Sequence, residues 1–177
     1  GIHQRDGRRG RRVVLLRQRF DFDEVEVVAA ILNLLGTFQH AITARGEGDP
    51  LQGLTEAIST HFNALTSGRY TGVQLQGTAP AQVNGPTSLP TGLLSQGTLG
   101  SLALATRLAL AELYLKDDNG FLVMDDPFTD MDPARRNAAA KAIGAFAQQR
   151  QVLFFTCHPL HASELQEVAG AEPVVVG

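Results

Sequence analysis

One stretch constrains this chain more than any other: Phe121-Leu-Val-Met-Asp-Asp-Pro-Phe-Thr-Asp-Met-Asp-Pro133. It opens on four apolar residues in a row. A short continuous run of that kind reads as a strand buried on both faces, as in parallel sheets. Pro127 has no N–H to give to a ladder, so the strand stops there. Asp125 and Asp126 therefore stand at the carboxyl end of a buried strand, where open α/β sheets hold their ligands. Asp132-Pro133 reads as a helix cap followed by proline at the first helical position.

Two adjacent carboxylates repel one another, and one is pushed towards its neutral form unless a cation sits nearby. Mg²⁺ takes oxygen ligands and commonly pairs one or two carboxylates with substrate phosphates. The pattern points to a nucleotide–Mg²⁺ site. The plainer alternative is a strand, a turn and a capped helix, with acids where turns favour them.

The bulk properties leave room for such a site. A chain of 177 residues is one domain or a large piece of one, and 44% apolar residues suffice for a core. No apolar run approaches the length of a membrane span, so no membrane contact is expected. The chain does not open on Met and carries no signal-peptide pattern, which reads as a processed or excised piece. The single cysteine, Cys157, rules out an intramolecular disulfide and fits a reducing cytoplasm. Charge is unevenly spread. Of 15 basic and 18 acidic residues, seven arginines and one acid fall in the first 19 positions. A basic arm on an acidic body suits contact with a polyanion. A tail with no role is the bland alternative, since no aromatics are interleaved to stack on bases.

Taken in order, residues 1–22 read as a basic, disordered arm. Residues 23–66 read as two helices. Val28, Ile31, Leu32, Leu35, Phe38 and Ile42 mark the first, and Gly46-Glu-Gly-Asp-Pro50 breaks it. Leu51, Leu54, Ile58, Phe62 and Leu65 mark the second, which Ser67-Gly68 ends. Residues 67–177 read as an α/β lobe. Tyr70 to Leu75 is a strand, and 77–92 a loop with at most a short hairpin near Val83-Asn84-Gly85. Leu99 to Leu115 is apolar on more than one face and reads as a buried helix capped by Ser95. Lys116 to Gly120 is a turn without calcium spacing. A helix from Pro133 to Gln149, a buried strand from Gln151 to Thr156, a short helix from Leu160 to Val168 and a last strand from Val174 to Val176 follow. Strands alternating with helices imply a parallel α/β sheet flanked by helices.

Three features converge on the strand ends. Ser95-Gln96-Gly97-Thr98 opens a buried helix with a hydroxyl, a glycine that allows close backbone approach and free amides, which together suit an anion. Asp125 and Asp126 are the second. His158, just past a neighbouring strand, is the third, a candidate to touch a phosphate or its attacking water.

In order and spacing these residues resemble ABC-type ATPases, over about residues 94–158. Leu94-Ser95-Gln96-Gly97-Thr98 is similar to their signature motif and Leu122-Val-Met-Asp-Asp126-Pro to Walker B. Thr129-Asp-Met-Asp132 is similar to the D-loop, and Thr156-Cys157-His158 to the switch histidine. The context resembles the SMC/SbcC branch of DNA-repair and chromosome-maintenance ATPases, and especially its YhaN-like members: Phe62-Asn-Ala-Leu-Thr-Ser-Gly-Arg-Tyr70 lies upstream, and Asp-Asp-Pro-Phe follows the Walker B strand. The resemblance implies a P-loop NTPase head with ATP and Mg²⁺ as cofactors. Asp125 would hold the metal, Asp126 polarise the attacking water, and His158 contact the γ-phosphate. Ser95, Gln96, Gly97 and Thr98 would bind the γ-phosphate of ATP held by a second head, and Asp132 would lie near that seam. The two early helices would be a coiled-coil stub. A second acid that is Asp, where many relatives carry Glu, implies slow turnover. The phosphate-cradling G-x-x-x-x-G-K-[S/T] loop is absent from the sequence. The chain therefore reads as the C-terminal half of a head, with the Walker A lobe elsewhere and little hydrolysis without it. The implied partners are that lobe, a second head, DNA and a nuclease subunit.

Two other readings compete. An ABC transporter subunit shares the signature and Walker B, but there a basic stretch usually follows the signature, where this chain has Leu99-Gly-Ser-Leu-Ala-Leu. A non-catalytic assembly module would keep the fold and lose productive nucleotide binding, which the intact Asp125, Asp126 and His158 argue against. The remaining histidines, 3, 40, 61 and 161, read as surface or satisfied residues. Arg135 and Arg136 read as a solvated helix face.

Overall fold

The structure is a computed structural model, and it describes residues 13–16, 50–77, 79–115 and 121–174. The coiled-coil helix expected over 23–44, most of the basic arm and the 116–120 turn lie outside the described residues.

Two sheets carry the chain. The larger has four parallel strands in the order β5 (Phe121–Asp125), β6 (Gln151–Phe155), β1 (Val13–Leu16), β7 (Glu172–Val174). The smaller is antiparallel, in the order β2 (Gly72–Gln76), β3 (Ala79–Asn84), β4 (Leu89–Pro90). Four helices are described: α1 (Pro50–Leu65), α2 (Gln96–Tyr114), α3 (Pro133–Ala147) and α4 (Pro159–Ala169). Helix α3 connects β5 to β6, and α4 connects β6 to β7, so both are crossovers of a parallel sheet.

Helix α1 follows its three-and-four spacing. Leu54, Ile58, Phe62 and Leu65 are buried on one face and pack against α2. It ends as its sequence predicts, with Ser67 (φ 52°) and Gly68 (φ 81°) left-handed and Gly68 N–H bonded to the Asn63 carbonyl at 2.9 Å. His61 is satisfied by Glu112 of α2 at 3.0 Å. On α2, Leu104, Ala105, Leu108 and Ala109 are in the core.

Several expectations are corrected. Val13–Leu16, assigned to the disordered arm, form an interior strand of the parallel sheet, with Val13 opposite Val152 and Val14 opposite Glu172. Four apolar residues are enough for such a strand, and the flanking arginines obscured them. Residues 77–92 hold more than a short hairpin. Strand β3 pairs with β2 along its length despite a register shift at Gln74/Leu75, and Pro80 and Pro90 are accommodated. The last strand starts two residues earlier than expected, where Glu172–Val174 pair with Val14–Leu16, and Val175 and Val176 of the expected strand lie outside the described residues.

The largest correction concerns β5. Among the described residues it is an edge strand, and only one of its faces is covered. Met124 is buried, whereas Phe121 and Val123 are 56% and 51% exposed. The apolar run reported burial on both faces, but no described element covers the second. Leu99, Ala103 and Leu110 of α2 face this open side with Phe121 and Val123, bounding an apolar groove of about 760 Å³. Leu113, within the run that reads as a buried helix, is also exposed.

Candidate functional site

Parallel pairing of β5 with β6 puts their carboxyl ends level. Asp125 lies opposite Phe155, and Asp126 N–H bonds to the Phe155 carbonyl at 2.8 Å. The chain then turns sharply. Asp126 takes φ 38°, a region that Asp enters more readily than most residues, and its carbonyl accepts from the Thr129 hydroxyl at 2.9 Å.

The neighbouring carboxylates face opposite ways. Asp126 points to the covered side, where its side chain is 17% exposed. The Thr156 hydroxyl donates to its Oδ1 at 2.9 Å, and His161 Nδ1 lies 2.7 Å from the same oxygen. His158 Nε2 lies 3.2 Å from Oδ2, and Cys157 Sγ lies 3.9 Å from it. Thr156 also accepts from His158 N–H at 3.0 Å, so one buried hydroxyl orients both the carboxylate and the histidine segment. The two imidazoles are 4.7 Å apart, and His161 stands edge-on to Phe128, which packs against Phe154.

Asp125 continues the exposed face of Phe121 and Val123. Partial burial, then the Asp126 charge, hold its carboxyl above the usual range, and Arg107 of α2 pulls the other way. The Arg107 guanidinium is itself lowered by burial and supported by Asp125.

A second cluster forms at the start of α2. Ser95 is the N-cap, as its position predicts; its Oγ accepts from Thr98 N–H at 3.4 Å and lies 2.9 Å from Thr98 Oγ1. Arg135 Nη2 donates to Thr98 Oγ1 at 3.0 Å. Arg135 Nη1 donates to Asp132 Oδ2 at 3.0 Å, and Arg135 N–H to Asp132 Oδ1 at 2.9 Å. Asp132 caps α3 as predicted, and its carboxyl is held below the usual range, first by that backbone bond. Gly97 is fitted against the Asp130 loop so closely that a Cβ there would lie 2.4 Å from the Asp130 carbonyl oxygen.

The structure thus brings Ser95, Gly97, Thr98 and Asp132 into one cluster, with Gln96 exposed beside it. Asp126 and His158 belong to the other cluster, and Asp125 lies next to it on the opposite face. Sequence reasoning missed three residues. His161 is buried on Asp126, and the available signal was His158-Pro159-Leu-His161: a proline that starts a helix puts the second histidine in its first turn. Arg135 and Arg136 are not a solvated face. Arg136 grips Glu164 of α4 through Nε and Nη2 at 2.8–3.0 Å and donates from Nη1 to the Met131 carbonyl, and Glu164 raises its pKa.

No family model matches the chain. It is 42% identical, over 60 residues, to the DNA replication and repair protein RecF of Clavibacter michiganensis and to that of Clavibacter sepedonicus. The match covers 32% of this chain and only 15% of either relative. Among solved structures, the SMC head domain from Thermotoga maritima aligns with TM-score 0.55 at 18% identity, over 81% of this chain and 48% of that one. An Smc head bound to the C-winged helix domain of ScpA aligns with TM-score 0.54 at 17% identity, over 64% of this chain and 37% of that one. The fold is that of SMC head domains, and the chain spans less than half of either structure.

Proposed function

We propose that this chain, with its SMC-head fold, is the C-terminal half of an ATP-binding and hydrolysing head whose ATP-dependent pairing serves DNA repair or chromosome maintenance. The observation that carries the reading is the placement of Asp125-Asp126 and Thr156-Cys157-His158 at level, adjacent strand ends of one parallel sheet. The fold likeness and the RecF relatives support it from outside.

In this reading Asp126 polarises the attacking water, and Thr156 and His161 hold its carboxylate in place. His158, half-exposed and beside the same carboxylate, is free to reach a γ-phosphate. Ser95, Gln96, Gly97 and Thr98, with the free amides of α2, receive the phosphate of nucleotide carried by a second head. Arg135 holds Asp132 and Thr98 in one seam. Asp125 fits a hard cation: its carboxyl lies at the strand end, where partial burial and then the Asp126 charge penalise the ionised form that a divalent ion would favour. Mg²⁺ there would neutralise phosphate charge and bridge nucleotide to protein.

The Walker A loop is supplied in this reading by an N-terminal lobe. The open β5 edge, with Phe121 and Val123 exposed, is the surface such a lobe would cover. DNA is the partner that the Arg-rich first 19 residues and the RecF relatives favour.

Calorimetry with Mg-ATP tests the reading. This chain alone should bind no nucleotide, and co-expression with the N-terminal half of its gene should restore binding. Tight binding by this chain alone would refute the split-head assignment. In the reconstituted head, Asp126→Asn should keep ATP binding and slow hydrolysis by about tenfold or more; unchanged hydrolysis removes Asp126 from its role.

A further inference from the structure

Asp126 and His158, which the proposed function places at the phosphate, also form with His161 a cluster of three metal-ligating side chains. Each presents one ligand atom, and the three atoms lie within 4.8 Å of one another. The carboxylate is acceptor-only, so both ring nitrogens that face it, His161 Nδ1 at 2.7 Å and His158 Nε2 at 3.2 Å, carry hydrogens. Two imidazoles and one carboxylate around a common point suit a borderline transition metal. They do not suit Mg²⁺, which prefers oxygen.

We propose that Asp126, His158 and His161 form a transition-metal site that takes Zn²⁺, distinct from the Asp125 position. Bonds of about 2.0–2.2 Å in a tetrahedral site separate ligand atoms by about 3.3 Å. His161 Nδ1 lies 2.7 Å from Oδ1 and His158 Nε2 lies 3.2 Å from Oδ2, so the carboxylate must turn one oxygen towards both rings, and the half-exposed His158 must move, to close the set from its 4.8 Å spread. The proton balance is simple. Each neutral ring changes tautomer: His161 moves its hydrogen from Nδ1 to Nε2, and His158 moves its own from Nε2 to Nδ1. For neutral rings and an ionised carboxylate, this exchange releases no net proton.

The neighbourhood favours these three ligands over others. His161 is held by Phe128 and its helix, and Asp126 by the Thr156 hydroxyl. His158 is 49% exposed and supplies both the adjustable ligand and the entry path. The three protein ligands leave the fourth position to water or an anion. The exposed Cys157 thiol falls outside the ligand set. A metal held here joins the end of β5 to the first turn of α4 and ties up the Asp126 oxygens. The site rests on side-chain geometry and stands or falls independently of ATP.

Titration of the full chain with Zn²⁺ by calorimetry, without nucleotide, tests it. One site of micromolar or tighter affinity is expected, with no comparable heat from Mg²⁺. His158→Ala and His161→Ala should each weaken binding at least about tenfold, since even outer-shell changes cost that much. Cys157→Ser should bind as the parent does. Nitrogen-15 NMR of the imidazoles should show both rings changing tautomer on Zn²⁺ addition. No binding, full affinity in either histidine variant, or loss in Cys157→Ser would each overturn the site. Should His161→Ala fail to fold by circular dichroism, the exposed His158→Ala variant and the parent's NMR response decide.

Discussion

The end of β5 and the start of α2 are both polar clusters on one lobe, yet they are assembled differently. At α2 most links are local: Ser95 meets Thr98, and Asp132 meets Arg135, each three residues away. One longer reach, from Arg135 to Thr98, sews the two caps together. At β5 the turn at Asp126 is closed locally by Thr129, but the Asp126 carboxylate has only distant partners. Asp126 is held by residues 30 to 35 positions away, and only the β5–β6 register brings them to it. A cap can form wherever its helix forms, whereas the Asp126 cluster exists only once the sheet is paired.

Three substitutions probe that contrast beyond the hydrolysis and Zn²⁺ tests. The largest effect is expected from Gly97→Ala. Its Cβ would meet the Asp130 backbone carbonyl, which cannot swing aside as a side chain could. A loss of about 1–3 kcal/mol in urea melts is expected, as for overpacking. The His158 and His161 resonances should stay in place if the clusters are independent; if they shift, the two behave as one unit.

Asp132→Ala should cost about 1 kcal/mol, the usual loss for a removed N-cap carboxylate. Its acid dependence sharpens the test. The folded-state pKa of Asp132 is depressed below the ordinary 3.8, so its contribution is complete above that value and fades as pH falls through the folded one. The stability gap between parent and variant should therefore be flat from neutral pH to about 4 and close below it. A gap that persists in strong acid would assign the effect to something other than the charged cap.

The smallest effect, of opposite sign, is expected from Asp125→Asn. The folded pKa of Asp125 is raised, so whatever stability it lends is present in acid and lost as pH rises through the folded value. At neutral pH its charge opposes folding, and the variant should melt slightly higher than the parent. The advantage should vanish on acidification. A variant less stable at neutral pH would mean that the Arg107 attraction outweighs burial and the Asp126 repulsion.

The same contrast explains what could be read in advance. Both caps, the ends of α1 and the strand–turn–helix around Asp125-Asp126 were legible, because proline, glycine and short polar side chains act on backbone within a few residues. The Val13–Leu16 strand was hidden, because four apolar residues among arginines carry no period. Arg135 and Arg136 were misread for a related reason: a charged pair on a helix looks solvated until Thr98 and Glu164 arrive from elsewhere.

By itself the sequence determined the α/β alternation, the helix starts and stops, and the acids at a strand end, all from short-range sterics and hydrogen bonding. Only tertiary structure decided which of the two adjacent acids is gripped and which is left facing outward. Asp125 ends β5 on its exposed face, and the left-handed turn at Asp126 (φ 38°) sends the next side chain to another side. The pairing of β5 with β6 then put Thr156, His158 and His161 on the Asp126 side, and its edge position left Asp125 beside an uncovered apolar face.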